Sequence, residues 1–531
     1  MSDKTHNGQT GLAALLVATG ILLSRIAGLI RDRAFAHYFG NTDAADAFRA
    51  ALRIPNFLQN LFGEGVLSAS FIPVYAGMLA RGQRQQATRL VEATAGVLGL
   101  IVSCIVLLGL LTAPVLTDLF APGFSGQKRQ LTITMVRILF PGTGILVMSA
   151  LCLGILNSHR RFFVSYAAPV MWNGAIIAAL LYCGPKVPLP RLAIMAAWGA
   201  VFGSLLQIAV QIPQVMKAAG LIRPSMDIAT EGLRYVLVNA IPVIIGRGVV
   251  QISGYVDSII ASFLPSGSLA ALGYAQTLYL LPVSLFGMSV SAAELPALSS
   301  DAACKDGAGQ SACQRLHAGL RRIAYLVVPS TVGFVALGDL IVGAIYRSGR
   351  FGPADAGYVW AILAAASIGL PASTLSRLYS AAFYALGDTR TPLRFSLVRV
   401  ATATMLGLAM AFWLPSATGI SERWGIVGLA AGSAMAAIIE YSMLKRGINR
   451  RLGRIGLSPG FLMLVWLAAL SAAMVVTLTR PTLVRLHPVA AAGIAVPTYG
   501  LVYLIVTRAC RIPEANVVTL WQRRVQGSRE L

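Results

Sequence analysis

Runs of about 20 apolar residues, the length that crosses a bilayer as a helix, recur about fourteen times along this chain. The first six lie near residues 12 to 37, 44 to 79, 88 to 112, 131 to 156, 163 to 183 and 191 to 212. A polar stretch from Pro213 to Glu231 interrupts them. Six more follow near 233 to 264, 268 to 298, 321 to 346, 356 to 384, 393 to 414 and 424 to 443, with a last pair near 460 to 478 and 488 to 507. The pattern predicts an all-α polytopic membrane protein with about 14 transmembrane helices: two pseudo-symmetric six-helix lobes plus a C-terminal helix pair. The expected divisions are an N-lobe over 1–215, a C-lobe over 216–450 with a cytoplasmic linker at 213–231, and a last segment over 451–531 ending in a basic tail.

An internal repeat supports the two-lobe reading. Shifting the chain by 225 residues places Asp32 on Asp257, Ala36 on Ala261, Ala45 on Ala270 and Ala50 on Ala275. Both copies also carry Leu-Phe-Gly, at Leu61 and at Leu285, followed by small residues and a proline. Parallel repeats of this kind occur in transporters that rock one half against the other around a central site.

Composition excludes an ordinary soluble protein: 56% of residues are hydrophobic, 12% are charged and the mean hydropathy is +0.72. The formal net charge of +23 reads as membrane topology and attraction to anionic headgroups, because no basic domain with interleaved aromatics stands outside the apolar runs. Nucleic acid is therefore not an expected partner. With the N-terminus inside, cytoplasmic segments hold about 25 Lys and Arg against about nine in the opposite loops, which predicts both termini in the cytoplasm. No small-residue cleavage site precedes Arg25, so the first apolar run reads as a retained helix. The cysteines at 104, 152, 183, 304, 313 and 510 form no CxxC pair, and disulfides are not expected. No metal-ligand spacing, nucleophile elbow or nucleotide-binding loop is present, so the chain does not read as an enzyme.

The polar residues inside the apolar runs carry the functional information. Arg25, Arg31, Arg33, Arg49, Arg53, Arg137, Arg247, Arg377 and Arg399 lie within or at the edges of predicted spans, and no lysine joins them. A guanidinium at membrane depth costs several kcal/mol on insertion scales, so such residues face a wet cavity, a partner or a charged ligand. Arginine also binds phosphate bidentately. In the first span Arg25, Gly28 and Asp32 share a stripe. In the second, Asp46, Arg49, Arg53, Asn56 and Gln59 or Asn60 recur at three and four, with Glu64 one turn beyond, and Pro55 is expected to interrupt the backbone ladder at the middle. An anionic cargo is the first reading. The plainer one makes Asp46 with Arg49 or Arg53, and Asp32 with an arginine of the second span, buried ion pairs that hold the bundle. Arg33 and Arg137 are placed to snorkel to the interface.

The runs SRIAGLIRD from Ser24, FGNTDAADAF from Phe39 and RIPNFLQNLFGEGVLSASFIPVY from Arg53 resemble the N-terminal signature of the MurJ (MviN) lipid II flippases, of the multidrug/oligosaccharidyl-lipid/polysaccharide exporter superfamily. ASFLPSGSLAALGYA from Ala261 and FYALGDTRTP from Phe383 are also similar to that family. The resemblance implies a monomeric flippase of the bacterial inner membrane that moves undecaprenyl-diphosphate-linked peptidoglycan precursor to the outer leaflet by alternating access. It implies cavity roles for Arg25, Arg31, Asp46 and Arg377, and a lipid groove shaped by the last two helices. Two family arginines are missing, with Gln59 and Thr277 in their places. Arg247, with Gln251 one turn on, has no basic counterpart in the family and is expected to restore the lost charge together with Arg53 or Arg49. The resemblance also implies a sodium site from Asp257, Asp388, the Val400 carbonyl and Thr404, with Tyr384 where an amide would stand. Alternative functions are an O-antigen or capsule lipid flippase, or a drug or ion antiporter of the same superfamily. Membrane potential, sodium or protons would supply the energy.

Overall fold

This computed structural model describes residues 2–291, 294, 308–453, 455–483 and 485–516, with side chains omitted at 2–18, 64, 245–250, 252–253 and 308–312. Glu64 and Arg247 are thus placed by backbone only, and Cys304, Arg454 and the tail beyond residue 516 lie outside the described residues. The chain divides into two compact units, 1–270 and 271–531.

The first unit holds α1 (Ser2–Phe39), α2 (Asp43–Phe62), α3 (Glu64–Ala80), α4 (Arg84–Leu111), α5 (Ala113–Phe120) and α6 (Gly126–Ser158). It continues with α7 (Phe162–Ala167), α8 (Pro169–Cys183), α9 (Leu189–Ala219) and α10 (Leu233–Ser262). Its interior is built by α6, which packs against α2, α4 and α9. Inside that contact, the Ser149 hydroxyl donates to Gln211 Oε1 at 2.7 Å while Gln207 Nε2 donates to Ser149 Oγ at 3.0 Å. Such buried polar rungs fix helix register where lipid offers no hydrophobic drive.

Three features differ from the sequence expectation. Pro55 does not break its helix, since α2 runs through it. The interruption falls instead at Gly63, where a Cβ would lie 2.3 Å from the Gln59 carbonyl oxygen. Helix α9 likewise runs through Pro213 to Ala219, leaving 220–232 as the linker proper. That linker is stitched to α4: the Arg223 amide donates to Glu92 Oε1 at 3.1 Å and the Ser225 amide to the Glu92 carbonyl at 2.9 Å. Third, α10 packs along α3 and α2, so the seventh predicted span falls in the first compact unit rather than the second.

The remaining elements are α11 (Ser268–Pro282), which begins at the division and passes into a π turn at Val283–Met288, then α12 (Ala308–Tyr346), α13 (Pro353–Ser367) and α14 (Leu370–Ala385). After these come α15 (Arg390–Leu408), a π turn at Ala409–Trp413, α16 (Leu414–Thr418), α17 (Gly425–Leu452), α18 (Pro459–Leu478), α19 (Arg480–Leu483) and α20 (Pro488–Ala509). Helices α13 and α14 form one apolar pair bent by 43°. In the second unit α12, α18 and α20 share a core around Tyr325, Val328, Val465, Ala472 and Tyr499. Helix α17 lies on α15 closely enough that a Cβ on Gly432 would sit 2.8 Å from the Gly407 nitrogen.

Among the described residues, 11 helices are long and apolar enough to cross a membrane, or 12 with the bent pair counted as one span. Two further long helices, α1 and α10, occupy the positions of the first and seventh predicted spans. The described cysteines are all free.

Candidate functional site

The first-helix stripe lands on α8. Asp32 is 1% exposed, and Arg31 Nε and Nη2 donate to its Oδ1 at 3.1 and 2.8 Å. Arg31 Nη1 donates to Asn173 Oδ1 at 3.0 Å, and its guanidinium lies 5.2 Å from the Trp172 ring centre. Gly28 leaves room here, since a Cβ at that position would stand 4.0 Å from the same Asn173 oxygen. From α2, Arg49 Nη2 comes to 3.5 Å of Asp32 Oδ1 and its guanidinium to 5.0 Å of the Phe35 ring centre. One buried carboxylate therefore organises two arginines from neighbouring helices. The plainer reading of Asp32 is right as geometry, but one anion does not neutralise two cations. Asn173 and its neighbour Trp172 gave no sequence signal, because Arg31 is 142 residues away from Asn173.

Arg53 stands one turn beyond Arg49. Its Nη1 donates to the Gly254 carbonyl at 3.1 Å, while the Tyr255 hydroxyl donates to the Arg53 carbonyl at 3.1 Å. Asp257 and Arg49 are its charged neighbours. The structure thus joins Arg49, Arg53 and Asp257 along α2 and α10. The side chains of Arg25, Asn56, Gln59 and Gln251 make no hydrogen bond or ion pair with the described residues, and Arg25 is exposed. The expectation that Arg247 replaces the missing charge falls on a side chain outside the description.

Asp46 does not join this cluster. It is 1% exposed and bound from three sides: Lys128 Nζ at 2.7 Å, the Gly267 amide at 2.8 Å and the Ala270 amide at 2.8 Å. Lys128 also reaches Asp43 at 2.9 Å. The carboxylate therefore caps the first turn of α11 from a distance, satisfying amides that have no partner within that helix. A Cβ at Gly267 would come within 2.5 Å of the Asn41 carbonyl oxygen, and its φ of +84° suits glycine. Nearby, the Gly123 amide donates to Ser262 Oγ at 3.1 Å. Lys128 escaped the sequence reading because it precedes the apolar run of its helix and meets Asp46 across 82 residues.

In the second unit, Arg377 is exposed, with Arg399 and Glu440 as charged neighbours. Arg399 is held by Glu440, which accepts from its Nη1 at 2.9 Å and from the Ser396 hydroxyl at 3.0 Å. An apolar cleft of about 340 Å³ opens between α12 and α20, lined by Phe286, Leu326, Pro329, Val496, Tyr499 and Leu504. The tyrosines are anchored by their hydroxyls, Tyr499 to the Pro329 carbonyl at 2.8 Å and Tyr503 to the Tyr325 carbonyl at 2.6 Å.

The sodium donor set does not fit as it stands. Asp388 accepts from the Arg390 amide at 3.1 Å and from the Thr391 amide and hydroxyl at 2.9 and 2.7 Å, and it pairs with Arg451. The Thr391 hydroxyl and amide, with Arg451 beside them, hold its carboxyl down to about 2. The Thr404 hydroxyl donates to the Val400 carbonyl at 2.8 Å, so those two oxygens already serve one another. A sodium ion would have to displace Arg451 from Asp388. Replacing sodium by choline is accordingly expected to leave the melting temperature of the purified protein unchanged, and Arg451→Gln to make it more sodium-sensitive. A large sodium-dependent shift in the unaltered protein that vanished in Asp388→Asn would contradict this. Because the carboxyl is depressed, its pairing persists above the unfolded value of 3.8 and is lost only as pH falls through about 2. Neutral-range pH changes should not disturb it.

Comparison with known proteins converges on one family. The family model described as lipid II flippase MurJ matches residues 35–492. A probable lipid II flippase MurJ of Vibrio cholerae is 30% identical over 446 residues, covering 82% of this chain and 82% of that protein. Among solved structures, a lipid II flippase MurJ in an inward closed conformation superposes with a TM-score of 0.76 at 26% identity, covering 93% of this chain and 98% of the other. An inward-facing multidrug resistance transporter of the MATE family, at 16% identity and a TM-score of 0.65, covers 84% of this chain and 100% of that one and shares the fold. The chain belongs to the MurJ lipid II flippase family.

Proposed function

We infer that this chain is a transporter that flips lipid II from the cytoplasmic to the outer leaflet of the bacterial inner membrane, supplying cell wall synthesis. The observation that carries the reading, beside family membership, is the charge balance of the first unit. Arg31 and Arg49 share the carboxylate of Asp32, Arg53 has Asp257 as a charged neighbour and Arg25 adds a further cation, so these four arginines outnumber the two carboxylates where apolar helices surround them. A diphosphate supplies what that excess lacks, and guanidinium forks suit its oxygens. Asp32 is the positioning residue that aims Arg31 and Arg49. Arg377, held near Arg399, is the corresponding cation of the second unit. The cleft between α12 and α20 suits a polyprenyl tail, being lined mostly by apolar side chains.

With both termini cytoplasmic, the Asp46–Lys128 tie lies at the outer end of α2, α6 and α10. Alternating access requires that end to open, so Asp46 acts as a latch rather than as a ligand of the cargo. No nucleotide site is needed: each arginine charge moved through 100 mV is worth about 2.3 kcal/mol, enough for membrane potential to bias the return step.

The reading is tested in proteoliposomes with a headgroup-labelled lipid II, scoring protection from an external quencher. Arg31→Ala and Arg25→Ala are expected to slow flipping by more than about tenfold, a rise of about 1.4 kcal/mol or more in the barrier. Arg137→Ala, exposed on α6, should leave it unchanged. Equal rates in all three variants would sink the cationic-cavity reading.

A further inference from the structure

A second cluster of basic groups lies away from the arginines of α1 and α2. Where α3, α6 and α9 end and α4 begins, a polar cavity of about 380 Å³ is lined by Tyr75, Arg84, Thr88, Ser158 and His159. Basic residues at helix ends on this face are expected from topology and from the negative ends of three helices. Topology alone does not explain why an imidazole is fixed inside the cavity. The fully buried Tyr75 holds His159 Nε2 through its hydroxyl at 2.8 Å, with the two ring centres 5.8 Å apart. Arg160, at φ +58°, carries the chain round the turn that follows. Arg161 then reaches back to Gln214 Oε1 at 2.7 Å. Among the described residues no carboxylate lines the cavity. Burial, then Arg161 and Arg84, push the His159 imidazole below its usual range, so the field it experiences is positive despite the carbonyl ends nearby.

We propose that this cavity is an oxyanion site, taking a phosphate group through Arg84 and His159, with the hydroxyls of Thr88 and Ser158, which donate to the Arg84 and Gly154 carbonyls at 3.1 and 2.9 Å, lining its polar wall. The phosphate comes from a phospholipid headgroup at the membrane interface or from free phosphate in solution. The site is separate from the cargo arginines, so it stands whether or not those act on a diphosphate. Arginine at the mouth supplies a charge-assisted fork, and the imidazole inside supplies a donor whose protonation the anion would favour.

The test uses the full-length protein in a neutral detergent, with thermal unfolding followed as inorganic phosphate, short-chain phosphatidylglycerol or short-chain phosphatidylcholine is added. An anion-dependent rise in Tm of several degrees, abolished in both Arg84→Gln and His159→Gln, is the expected result. A rise with phosphatidylglycerol but not phosphate assigns the site to a lipid headgroup, and a rise with phosphate alone assigns it to a soluble anion. Titration of His159 by NMR provides an independent reading, its pKa rising when the anion binds. No anion-dependent shift, or one that survives both substitutions, overturns the proposal. Flipping by Arg84→Gln should remain normal, which separates failure here from failure of the transport reading.

Discussion

Asp32→Asn is expected to abolish flipping and to destabilise the first unit by about 3–5 kcal/mol, the usual penalty when one partner of a buried charge pair is removed. The carboxylate is 1% exposed and is the shared anchor of Arg31 at 2.8 Å and Arg49 at 3.5 Å. An amide of the same shape keeps a weak acceptor but leaves two guanidiniums without their anion. The double variant Asp32→Asn, Arg49→Gln should recover much of the stability and little of the flipping, because the charge mismatch is relieved while the cargo cation is lost. Measuring Tm and flipping on the same preparations checks both halves. If the double variant regained flipping together with stability, Asp32 would be a purely structural pair and the positioning role would be refuted.

The second large effect is expected at Asp46. Asp46→Ala removes the acceptor for the Gly267 and Ala270 amides and the buried partner of Lys128, leaving the first turn of α11 uncapped and a lysine, 15% exposed, with only the exposed carboxylate of Asp43. Lys128→Met is milder, since the two backbone amides still serve Asp46. Because both changes strike one network, their effects should not add, and the double variant should be close to Asp46→Ala alone. The latch assignment makes a sharper claim: Asp46→Ala shifts the protein toward the state open at that end. A cysteine introduced at Asn41, beside the tie, should then label faster with a membrane-impermeant thiol reagent applied from outside. Slower or unchanged labelling with flipping lost would make Asp46 a folding residue and not a latch.

How far the sequence carried the interpretation differs by feature. Apolar runs show where helices lie in the membrane because burial in lipid imposes length and composition on every span. They do not show how one span ends inside itself, as at Gly63, since Pro55 looks like the stronger breaker and is accommodated within α2. Helical spacing puts Arg25, Gly28 and Asp32 on one stripe, but it could not name Asn173, which lies beside Gly28 and accepts from Arg31. The same spacing placed Asp46 with Arg49 and Arg53. Its actual partners come from 82, 221 and 224 residues away, and two of them are backbone amides that no side-chain pattern reveals. Glu440, buried on α17 and holding Arg399, went unnoticed because a single acid in an apolar run has no periodicity of its own.

The central claim is that an excess of arginine charge among apolar helices moves a diphosphate lipid. It is tested most directly by depleting the protein from cells that have no second flippase and measuring lipid II exposed on the outer leaflet, with wild-type, Arg31→Ala or Arg31→Lys protein supplied in its place. Exposure should collapse on depletion, return with wild type, stay low with Arg31→Ala and recover only in part with Arg31→Lys, which keeps the charge but loses the bidentate fork. Undiminished exposure after depletion, or full recovery with Arg31→Ala, would contradict it.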